Sequence, residues 1–401
     1  LYYNHCALNP AFNCIYSMTR NQSFANQYQT LDNTVAVEVM GKMYPASSPT
    51  DTTRIIIDRE RPNVLLVILE GMGACFVGSL GGDSVVAPNI SRITGESVNF
   101  TRAYCSSFRT DRGVVSTLSG YPGQPNTSIM RYSNKVQNLP GLPRTLRDKG
   151  GYSTRMLYAS DASFFNMSGY FLTSGHEEMV TEDDFSPEAR STKWGVPDHV
   201  AFEWLYDKLQ EEDADKTRPH YNTMLTISSH TPFDVPYHRL EDEKKNSFAY
   251  TDSCFGAFYD RLKASPAWDN LMIVVTADHG FNHEPVASPT FAHVPLFVTG
   301  GAVPAHFDVD AITDQTDIPA IVLGQLGLPD DDFTFSRNTL SSGYRDQWAI
   351  NSFNDGFTFF DDRGTTVYLN QPQEATFGSD SLRELRGKAF LQMLYQDLDK
   401  R

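Results

Sequence analysis

An unbroken apolar run followed at once by a carboxylate constrains the fold of this chain more than any other stretch. Residues 64–69 are Val-Leu-Leu-Val-Ile-Leu, and Glu70 follows them. A short apolar run with β-branched residues is typical of a strand that is buried on both faces of a parallel sheet. Open α/β sheets place their ligands at the carboxyl ends of such strands. Glu70 is therefore a candidate site residue, although the same pattern fits a strand that ends in a solvated acid.

A second strand of this kind is followed by two residues of types that commonly bind metals. Residues 270–276 predict the strand, and Asp278 and His279 come directly after it, before a glycine. An adjacent Asp and His in a loop can both turn toward one ion. Together with Glu70 they supply two carboxylates and one imidazole, a set that suits Mn²⁺, Zn²⁺ or Mg²⁺. The alternative is a buried histidine whose hydrogen bonds are satisfied by a neighbour.

The order of the predicted elements indicates the fold class. Strands and helices alternate between residues 63 and 328, which predicts an α/β fold with a mainly parallel central sheet flanked by helices. Beyond residue 330 the pattern changes to short strands separated by turn signals and followed by an amphipathic helix, at 347–353, 357–360, 365–369 and 381–398. We therefore predict a small C-terminal antiparallel sheet with one helix.

Three segments follow from this division. Residues 1–60 are an N-terminal arm, with helical spacing at Phe12, Ile15 and Tyr16 and a further helix at 27–40. Residues 61–330 are a catalytic-type domain, and residues 331–401 are a C-terminal subdomain. The chain begins at Leu1 rather than Met, so we expect a fragment or a processed form.

Charge and cysteine content restrict the partners. The formal net charge is −16, which disfavours nucleic acid as a partner because phosphate backbones need clustered Lys and Arg. An excess of carboxylates can still concentrate metal cations. The five cysteines include no CxxC pair, so neither a disulfide framework nor a cysteine zinc site is predicted. No apolar run has the length of a membrane span.

A hydroxyl at a predicted helix start is the candidate nucleophile. Residues 107–113 are Ser-Phe-Arg-Thr-Asp-Arg-Gly, and Thr110 there would lie near free backbone N–H groups and the positive end of the helix dipole. That environment suits attack on a phosphate or sulfate, and a metal would lower the pKa of the hydroxyl. A plain N-cap threonine is the alternative. Arg112 is a candidate for substrate binding, against the commoner solvated surface arginine.

These pieces occur in an order that resembles the sulfatase-like branch of the alkaline phosphatase superfamily. The matching pieces are residues 63–73, 87–90, Thr110 with 119–122, 229–232, 276–280, 293–296 and 316–319. Within that branch the set looks most like lipoteichoic acid synthases and related phosphoglycerol transferases. The resemblance covers residues 61–330 and implies an alkaline-phosphatase/sulfatase-like fold. It also implies that the N-terminal arm joins the enzyme to a membrane region.

The resemblance implies a role for each matched residue. Glu70, Thr110, Asp278 and His279 would hold one divalent metal ion, with Mn²⁺ as the first candidate and Zn²⁺ or Mg²⁺ as alternatives. Thr110 would also be the nucleophile. His230 would act on the substrate or the leaving group, and His293 and Arg112 would bind substrate. One ion is expected because two-metal relatives need further Asp and His ligands, and few extra histidines lie near these motifs: His230, His283 and His293.

Two departures from the family pattern bear on specificity. Sulfatases carry a Cys/Ser-x-Pro-x-Arg motif whose first residue becomes formylglycine, but the segment from Cys105 to Arg109 lacks the proline. Thr110 matches the nucleophile position better, which disfavours sulfate-ester hydrolysis. Lipoteichoic acid synthases also hold glycerol phosphate with His, Trp and Arg. His230 matches the His, whereas residues 158–170 contain neither Trp nor Arg, so the headgroup remains open.

The predicted function is a metal-dependent phosphotransferase or phosphodiesterase with a threonine nucleophile. The donor would be a phospholipid headgroup or another phosphodiester, and the acceptor a glycan or polyol. The enzyme would act at the extracytoplasmic face of the cell membrane, reached through a segment outside this chain. One alternative is a sulfatase or phosphatase of the same fold. Another is a catalytically silent sulfatase-like domain that binds a glycan.

Overall fold

The computed structural model describes residues 23–281 and 285–401. Within them, the largest element is a sheet of eight strands. Its strands, in spatial order, are Glu178–Thr181 (β5), Ser153–Tyr158 (β4), His220–Leu225 (β6), Asn63–Leu69 (β1), Leu271–Ala277 (β7), Leu296–Thr299 (β8), Val98–Phe100 (β2) and Phe307–Val309 (β9). A separate two-stranded pair is formed by Ala103–Tyr104 (β3) and Thr313–Asp314 (β10).

The central strands run parallel, as the sequence predicts. Strands β5, β4, β6, β1 and β7 pair in parallel, whereas β8 is antiparallel to both of its neighbours, β7 and β2. Every residue of β1 and β7 is buried. The register pairs Leu69 with Ala277. The residues that follow these two strands, Glu70 and Asp278, therefore leave the sheet side by side at its carboxyl edge.

Helices cover both faces of the sheet. Val64, Leu66 and Ile68 of β1 belong to one hydrophobic core, and the residues between them belong to the other. The first core also receives side chains of Thr110–Ser119 (α3), Leu142–Gly150 (α5), Met167–Ser174 (α6) and Ile318–Leu326 (α9), together with the short helix Ser133–Val136 (α4). The second core receives side chains of Pro88–Thr94 (α2), Asp198–Ala214 (α7) and Glu243–Lys263 (α8). Burial on both faces explains why β1 has no polar residue between Val64 and Leu69.

The C-terminal region forms the predicted antiparallel sheet and helix. The strands are Trp348–Phe353 (β11), Gly356–Asp361 (β12), Gly364–Leu369 (β13) and Glu374–Phe377 (β14), followed by Ser381–Lys400 (α10). The last of these strands was not predicted. Strand β11 meets the segment that leads into α3, because Ser352 N–H donates to the Ser106 carbonyl at 2.9 Å. Ser107 Oγ donates to the Ser352 carbonyl at the same distance. The small sheet therefore supports the start of α3.

The described part of the N-terminal arm packs on the C-terminal helix. Its helix is Asn33–Met43 (α1), a few residues later than predicted. Just before it, the backbone N–H groups of Thr30 and Leu31 donate to Gln392 Oε1 of α10 at 3.1 and 3.0 Å. The predicted helical spacing of Phe12, Ile15 and Tyr16 lies outside the described residues. The division at residues 60 and 330 stays a prediction.

Candidate active site

The carboxyl edge of the central sheet brings Glu70, Asp278 and His279 together. Each offers one ligand atom, and these atoms lie within 4.8 Å of one another. Nε2 of His279 is 3.5 Å from Glu70 Oε1 and 3.5 Å from Asp278 Oδ2. Asp278 is fully buried, and Glu70 is only 4% exposed. The sequence-predicted trio is therefore one compact, buried cluster.

Backbone hydrogen bonds fix how these side chains point. Asp278 Oδ1 accepts from the N–H groups of Gly71 and His279 at 2.7 and 2.8 Å. Gly71 has a positive φ of 61°, a backbone conformation in which glycine is unstrained. Nδ1 of His279 donates to the Gly280 carbonyl at 3.1 Å. Nε2 is thereby left facing the carboxylates, the orientation typical of a metal-binding histidine.

The charges of the cluster are strongly coupled. Burial raises the pKa of Asp278, and the nearby Glu70 carboxylate raises it further. Burial alone would raise the pKa of Glu70, but hydrogen bonding and attraction to His279 outweigh it and lower that pKa. Burial likewise disfavours the His279 cation, yet the carboxylates of Asp278 and Glu70 raise its pKa to about 10. Two carboxylates thus create a negative potential that favours a cation at this edge of the sheet.

The cluster fits a divalent metal ion. Asp278 Oδ2 is buried and has no hydrogen-bond partner among the described residues, although a buried charged oxygen is costly to leave unpaired. It points to the space that it shares with Glu70 Oε1 and His279 Nε2. Oxygen and imidazole donors of this kind suit Mn²⁺, Zn²⁺ and Mg²⁺.

Thr110 joins the cluster from the start of α3. Its Oγ1 donates to Glu70 Oε2 at 3.1 Å. The N-cap of the helix is Arg109, which has an extended backbone and makes no side-chain cap bond. Thr110 is therefore the first helical residue, and the alternative of a plain N-cap threonine is wrong. Its hydroxyl lies beside N–H groups that have no partner within the helix.

A glycine allows α3 to approach the loop of Asp278 and His279 this closely. A Cβ on Gly113 would lie 2.0 Å from the Asp278 carbonyl oxygen, which is inside van der Waals contact. The side chain of Gln315 donates to the carbonyls of Ala277 and Asp278 at 2.7 and 2.9 Å and so holds the same loop from the other side. The short distance between Thr110 and Glu70 thus depends on position 113 being a glycine.

His230 lies on a cavity that opens beside the cluster. The cavity has a volume of about 390 Å³, and its lining includes Glu70, Thr110, His279 and His230. Nδ1 of His230 donates to the Thr231 carbonyl at 2.9 Å. The loop is tied to the metal-binding strand, because Ser229 Oγ donates to the Glu70 carbonyl at 2.6 Å. A group bound in this cavity would contact both the threonine and the imidazole.

The other two predicted substrate residues lie elsewhere. Arg112 is buried against the ring of Phe108, with its guanidinium carbon 4.7 Å from the ring centroid, and Arg109 lines the cavity instead. Two residues along a helix correspond to a rotation of about 200°, so Thr110 and Arg112 face opposite ways. Nε2 of His293 donates to the Thr101 carbonyl at 2.9 Å, and this residue is not part of the cavity lining.

The geometry also bears on the formylglycine alternative. Cys105 is fully buried in the hydrophobic core, and burial raises the pKa of its thiol. Its Sγ lies 3.2 Å from the Ser107 carbonyl. Cys105 is not among the residues that line the cavity, so this position does not present a nucleophile to a substrate bound there.

Three aromatic residues on the cavity wall were not predicted. They are Phe164, Phe165 and Trp194, whose rings meet edge to face with centroids 4.4 and 5.7 Å from Phe164. Phe165 has a positive φ of 51°, a strained conformation for a bulky residue. Residues 158–170 were singled out only for lacking Trp and Arg. Trp194 lies farther along the chain and is not part of a recognisable sequence motif.

Comparisons with known proteins identify the family to which the chain belongs. A family model described as Sulfatase matches residues 62–330. Lipoteichoic acid synthase 2 of Bacillus subtilis strain 168 is 21% identical over 365 residues, which are 82% of this chain and 54% of that protein. Lipoteichoic acid synthase of Staphylococcus aureus strain USA300 is 22% identical over 55% of this chain and 36% of that protein. The chain thus spans about half of these curated relatives, or less. None of its described helices has the length and apolar content needed to cross a membrane.

Solved structures share the fold. A protein of the alkaline phosphatase superfamily from Vibrio parahaemolyticus has a TM-score of 0.78 at 23% identity, over 93% of this chain and 98% of that chain. The lipoteichoic acid synthase LtaP from Listeria monocytogenes has a TM-score of 0.72 at 18% identity, over 91% and 97%. The C-terminal periplasmic domain of EcEptC from Escherichia coli has a TM-score of 0.57 at 15% identity, over 84% and 100%. With an alkaline phosphatase-like fold and a family model that covers most of its length, the chain belongs to the sulfatase family of enzymes.

Proposed function

We propose that the chain is a metal-dependent phosphotransferase or phosphodiesterase in which the Thr110 hydroxyl is the nucleophile. The observation that carries the proposal is the 3.1 Å hydrogen bond from Thr110 Oγ1 to Glu70 Oε2 at the start of α3. A structural helix cap would instead accept from the backbone of its own helix. This hydroxyl is directed at the buried carboxylate cluster, and the cavity gives a substrate access to it.

Members of this superfamily generally use a divalent metal ion. Glu70, Thr110, Asp278 and His279 are the residues that would hold one ion here, and Mn²⁺ is the ion we propose, with Zn²⁺ and Mg²⁺ as alternatives. When bound, the ion would polarise a phosphoryl oxygen and lower the pKa of the Thr110 hydroxyl.

The chain's own residues account for the rest of a two-step transfer. Thr110 Oγ1 gives its proton to Glu70 Oε2, which accepts its hydrogen bond, and forms a bond to phosphorus while the bond to the leaving alcohol breaks. The N–H groups at the start of α3 stabilise the anionic phosphoryl group. Protonated His230 donates from Nε2 to the departing oxygen. The product is a diester on Thr110. In the second step His230 Nε2 takes the proton of an acceptor hydroxyl, which attacks phosphorus. The bond from phosphorus to Thr110 Oγ1 breaks, and this oxygen regains its proton from Glu70 Oε2.

The proposed donor is a phospholipid headgroup or another phosphodiester, and the proposed acceptor is a glycan, a polyol or water. Two relatives are named as lipoteichoic acid synthases, and another is a periplasmic domain. We accordingly propose that the enzyme works at the extracytoplasmic face of the membrane, to which a segment outside this chain connects it. The net charge of −16 supports a partner other than nucleic acid.

Paired substitutions test the nucleophile. Purified wild type, Thr110→Ala, Thr110→Ser and Cys105→Ala are supplied with Mn²⁺ and given a panel of phospholipids and an aryl sulfate. Thr110→Ala should lose headgroup release and the phosphoryl adduct in intact-mass spectra, while retaining most of its metal. Thr110→Ser keeps the oxygen but loses the methyl group that restricts χ1, so it should retain reduced activity. Cys105→Ala should stay active.

The rival chemistry gives the opposite result. If the protein is a formylglycine sulfatase, Cys105→Ala abolishes turnover, Thr110→Ala does not, and the aryl sulfate is the better substrate. A phosphoryl adduct that persists in Thr110→Ala would show that another residue is the nucleophile. A wild-type protein that binds Mn²⁺ but turns over neither substrate class would support a silent binding domain instead.

A further inference from the structure

A tight turn that carries Trp194 lies directly against His230. The indole and imidazole ring centroids are 4.3 Å apart, with an angle of 61° between the ring planes. Nε1 of Trp194 donates to the Thr231 carbonyl at 2.5 Å. Nδ1 of His230 donates to the same oxygen at 2.9 Å. One carbonyl, with two lone pairs, therefore fixes both rings relative to each other.

This arrangement determines which imidazole nitrogen is free to exchange a proton. A carbonyl oxygen only accepts, so Nδ1 of His230 carries hydrogen in either protonation state. Nε2 is then the nitrogen that gains or loses a proton. Because the indole covers one side of the imidazole, the ring cannot rotate freely toward solvent. The contact with Trp194 thus orients the nitrogen to which the transfer reaction assigns a proton.

The turn itself is firmly held. Thr192 Oγ1 accepts from the Trp194 N–H at 3.3 Å and donates to the Gly195 carbonyl at 3.0 Å. Gly195 has a positive φ of 106°, and a Cβ there would lie 2.6 Å from the Ala159 carbonyl oxygen. Val196 N–H donates to that same carbonyl at 2.9 Å. The turn is therefore anchored to the end of β4, and the indole is presented by a rigid support.

The same segment holds the other end of the His230 loop. Asp198 is buried at the start of α7, and its Oδ1 accepts from the N–H groups of Ile227 and Ser228 at 3.0 and 3.2 Å. Ser228 Oγ in turn accepts from the Asp198 N–H at 2.9 Å. The segment from Trp194 to Asp198 thus fixes the loop on both sides of the histidine.

We propose that Trp194 is the positioning residue for His230, and that its ring and N–H together hold Nε2 toward the group that leaves or enters. This role rests on the proposed function of His230 in phosphoryl transfer. Trp194 does not itself exchange a proton with the substrate. Its loss should therefore reduce kcat rather than weaken substrate binding, because an imidazole that is about 1 Å out of place reacts poorly even when the substrate is bound.

A double-mutant cycle tests the proposal. The variants are Trp194→Ala, Trp194→Phe, His230→Ala and the combination of Trp194→Ala with His230→Ala, assayed on an aryl phosphodiester with Mn²⁺. Trp194→Ala should lower kcat by about tenfold or more with little change in KM, and Trp194→Phe, which keeps a ring but loses the N–H, by a few fold. In the His230→Ala background, Trp194→Ala should have almost no further effect, because the residue it positions is absent. Trp204→Phe, on α7 and outside the cavity lining, is the matched control and should retain full kcat.

Two results would overturn the proposal. One is an equal loss of kcat from Trp194→Ala whether or not His230 is present, which would indicate a general structural role. The other comes from nitrogen-15 NMR of His230, which does not depend on turnover. Neutral His230 should carry its proton on Nδ1 in the wild type and become a mixture of tautomers in Trp194→Ala, and an unchanged tautomer would refute the positioning role. If the wild type does not turn over the phosphodiester but the tautomer changes, the proposed function fails and the positioning of His230 stands.

Discussion

The two sides of the active-site cavity are built in different ways. On one side, Glu70, Asp278 and His279 follow directly from buried parallel strands, and several backbone hydrogen bonds orient them. On the other side, His230 and Trp194 lie on loops. Phe164, beside them, is 46% exposed. The pairing register of the strands sets the positions of the first group. The positions of the second group depend on how the loops pack against one another. The carboxylate cluster and the proposed nucleophile thus lie on the sheet and α3, whereas the residue proposed to move protons and the contacts that can select a substrate lie on loops.

This difference means that substitutions on the two sides should differ in kind. A change on the sheet side should affect the metal and the covalent step for any substrate. A change on the loop side should leave the metal in place and alter how particular substrates bind or react.

Asp278→Asn should have the largest effect. The amide keeps the size of the side chain but replaces a carboxylate oxygen that has no hydrogen-bond partner among the described residues. Loss of an outer-shell partner typically costs 10–100-fold in metal affinity, so loss of a ligand should cost about 100-fold or more. Calorimetry with Mn²⁺ and elemental analysis measure this loss, and we expect one ion per chain in the wild type.

Asp161→Asn is the control for this substitution, because it removes an exposed carboxylate outside the cluster. It should leave Mn²⁺ affinity unchanged. Equal affinity in Asp278→Asn and the wild type would remove Asp278 from the metal site. Two ions about 4 Å apart in an anomalous-scattering experiment would contradict the one-metal prediction.

The sheet side was predictable because its signals are local. An apolar run that ends in a carboxylate or an Asp-His pair identifies a strand end, and parallel strand ends meet at one edge of the sheet. Thr110 was recognisable for the same reason, from its position at a helix start. The parallel sheet and the C-terminal antiparallel sheet followed from the order and spacing of the elements, although β5, α6 and β14 were missed because their short segments carry weak periodicity.

The loop side was not predictable because its contacts join segments that are distant in the chain. Trp194 reaches His230 only through a turn that is anchored on β4, and no local pattern encodes that contact. Arg112 illustrates a different limit: its proximity in sequence to Thr110 suggested a shared site, but the helix turns the two side chains apart. His293 lies in a family motif, yet its imidazole is bound to the Thr101 carbonyl.

Gly113→Ala should have an intermediate effect on activity. It should also destabilise the protein, whereas a change from glycine to alanine within a helix usually stabilises it. Within a helix, alanine is normally favoured over glycine by about 1 kcal/mol. Here the added Cβ would collide with the Asp278 carbonyl, so we expect a loss of about 1–3 kcal/mol in unfolding free energy and a marked fall in kcat as Thr110 moves from Glu70. Chemical denaturation and steady-state kinetics measure the two effects.

Gly41→Ala provides the matched control. Gly41 lies in α1, and a Cβ there meets no atom within 4 Å. This variant should be stabilised by about 0.5–1 kcal/mol and keep full activity. If Gly113→Ala were as stable and as active as Gly41→Ala, the close contact between α3 and the metal-binding loop would not position Thr110.

The smallest effect is expected for Phe164→Ala, which tests the loop side alone. The ring packs edge to face against Phe165 and Trp194, and such contacts are worth about 0.5–1.5 kcal/mol per pair. Because the ring lines the cavity and is not one of the proposed metal ligands, its loss should change KM by a few fold among phosphodiesters with different headgroups, leaving metal content and the Thr110 adduct unchanged. Phe377→Ala, which removes a 51% exposed ring on β14, should alter neither. A uniform fall in kcat for all substrates in Phe164→Ala would mean that this ring supports the covalent step, as Trp194 is proposed to do, and does not select among substrates.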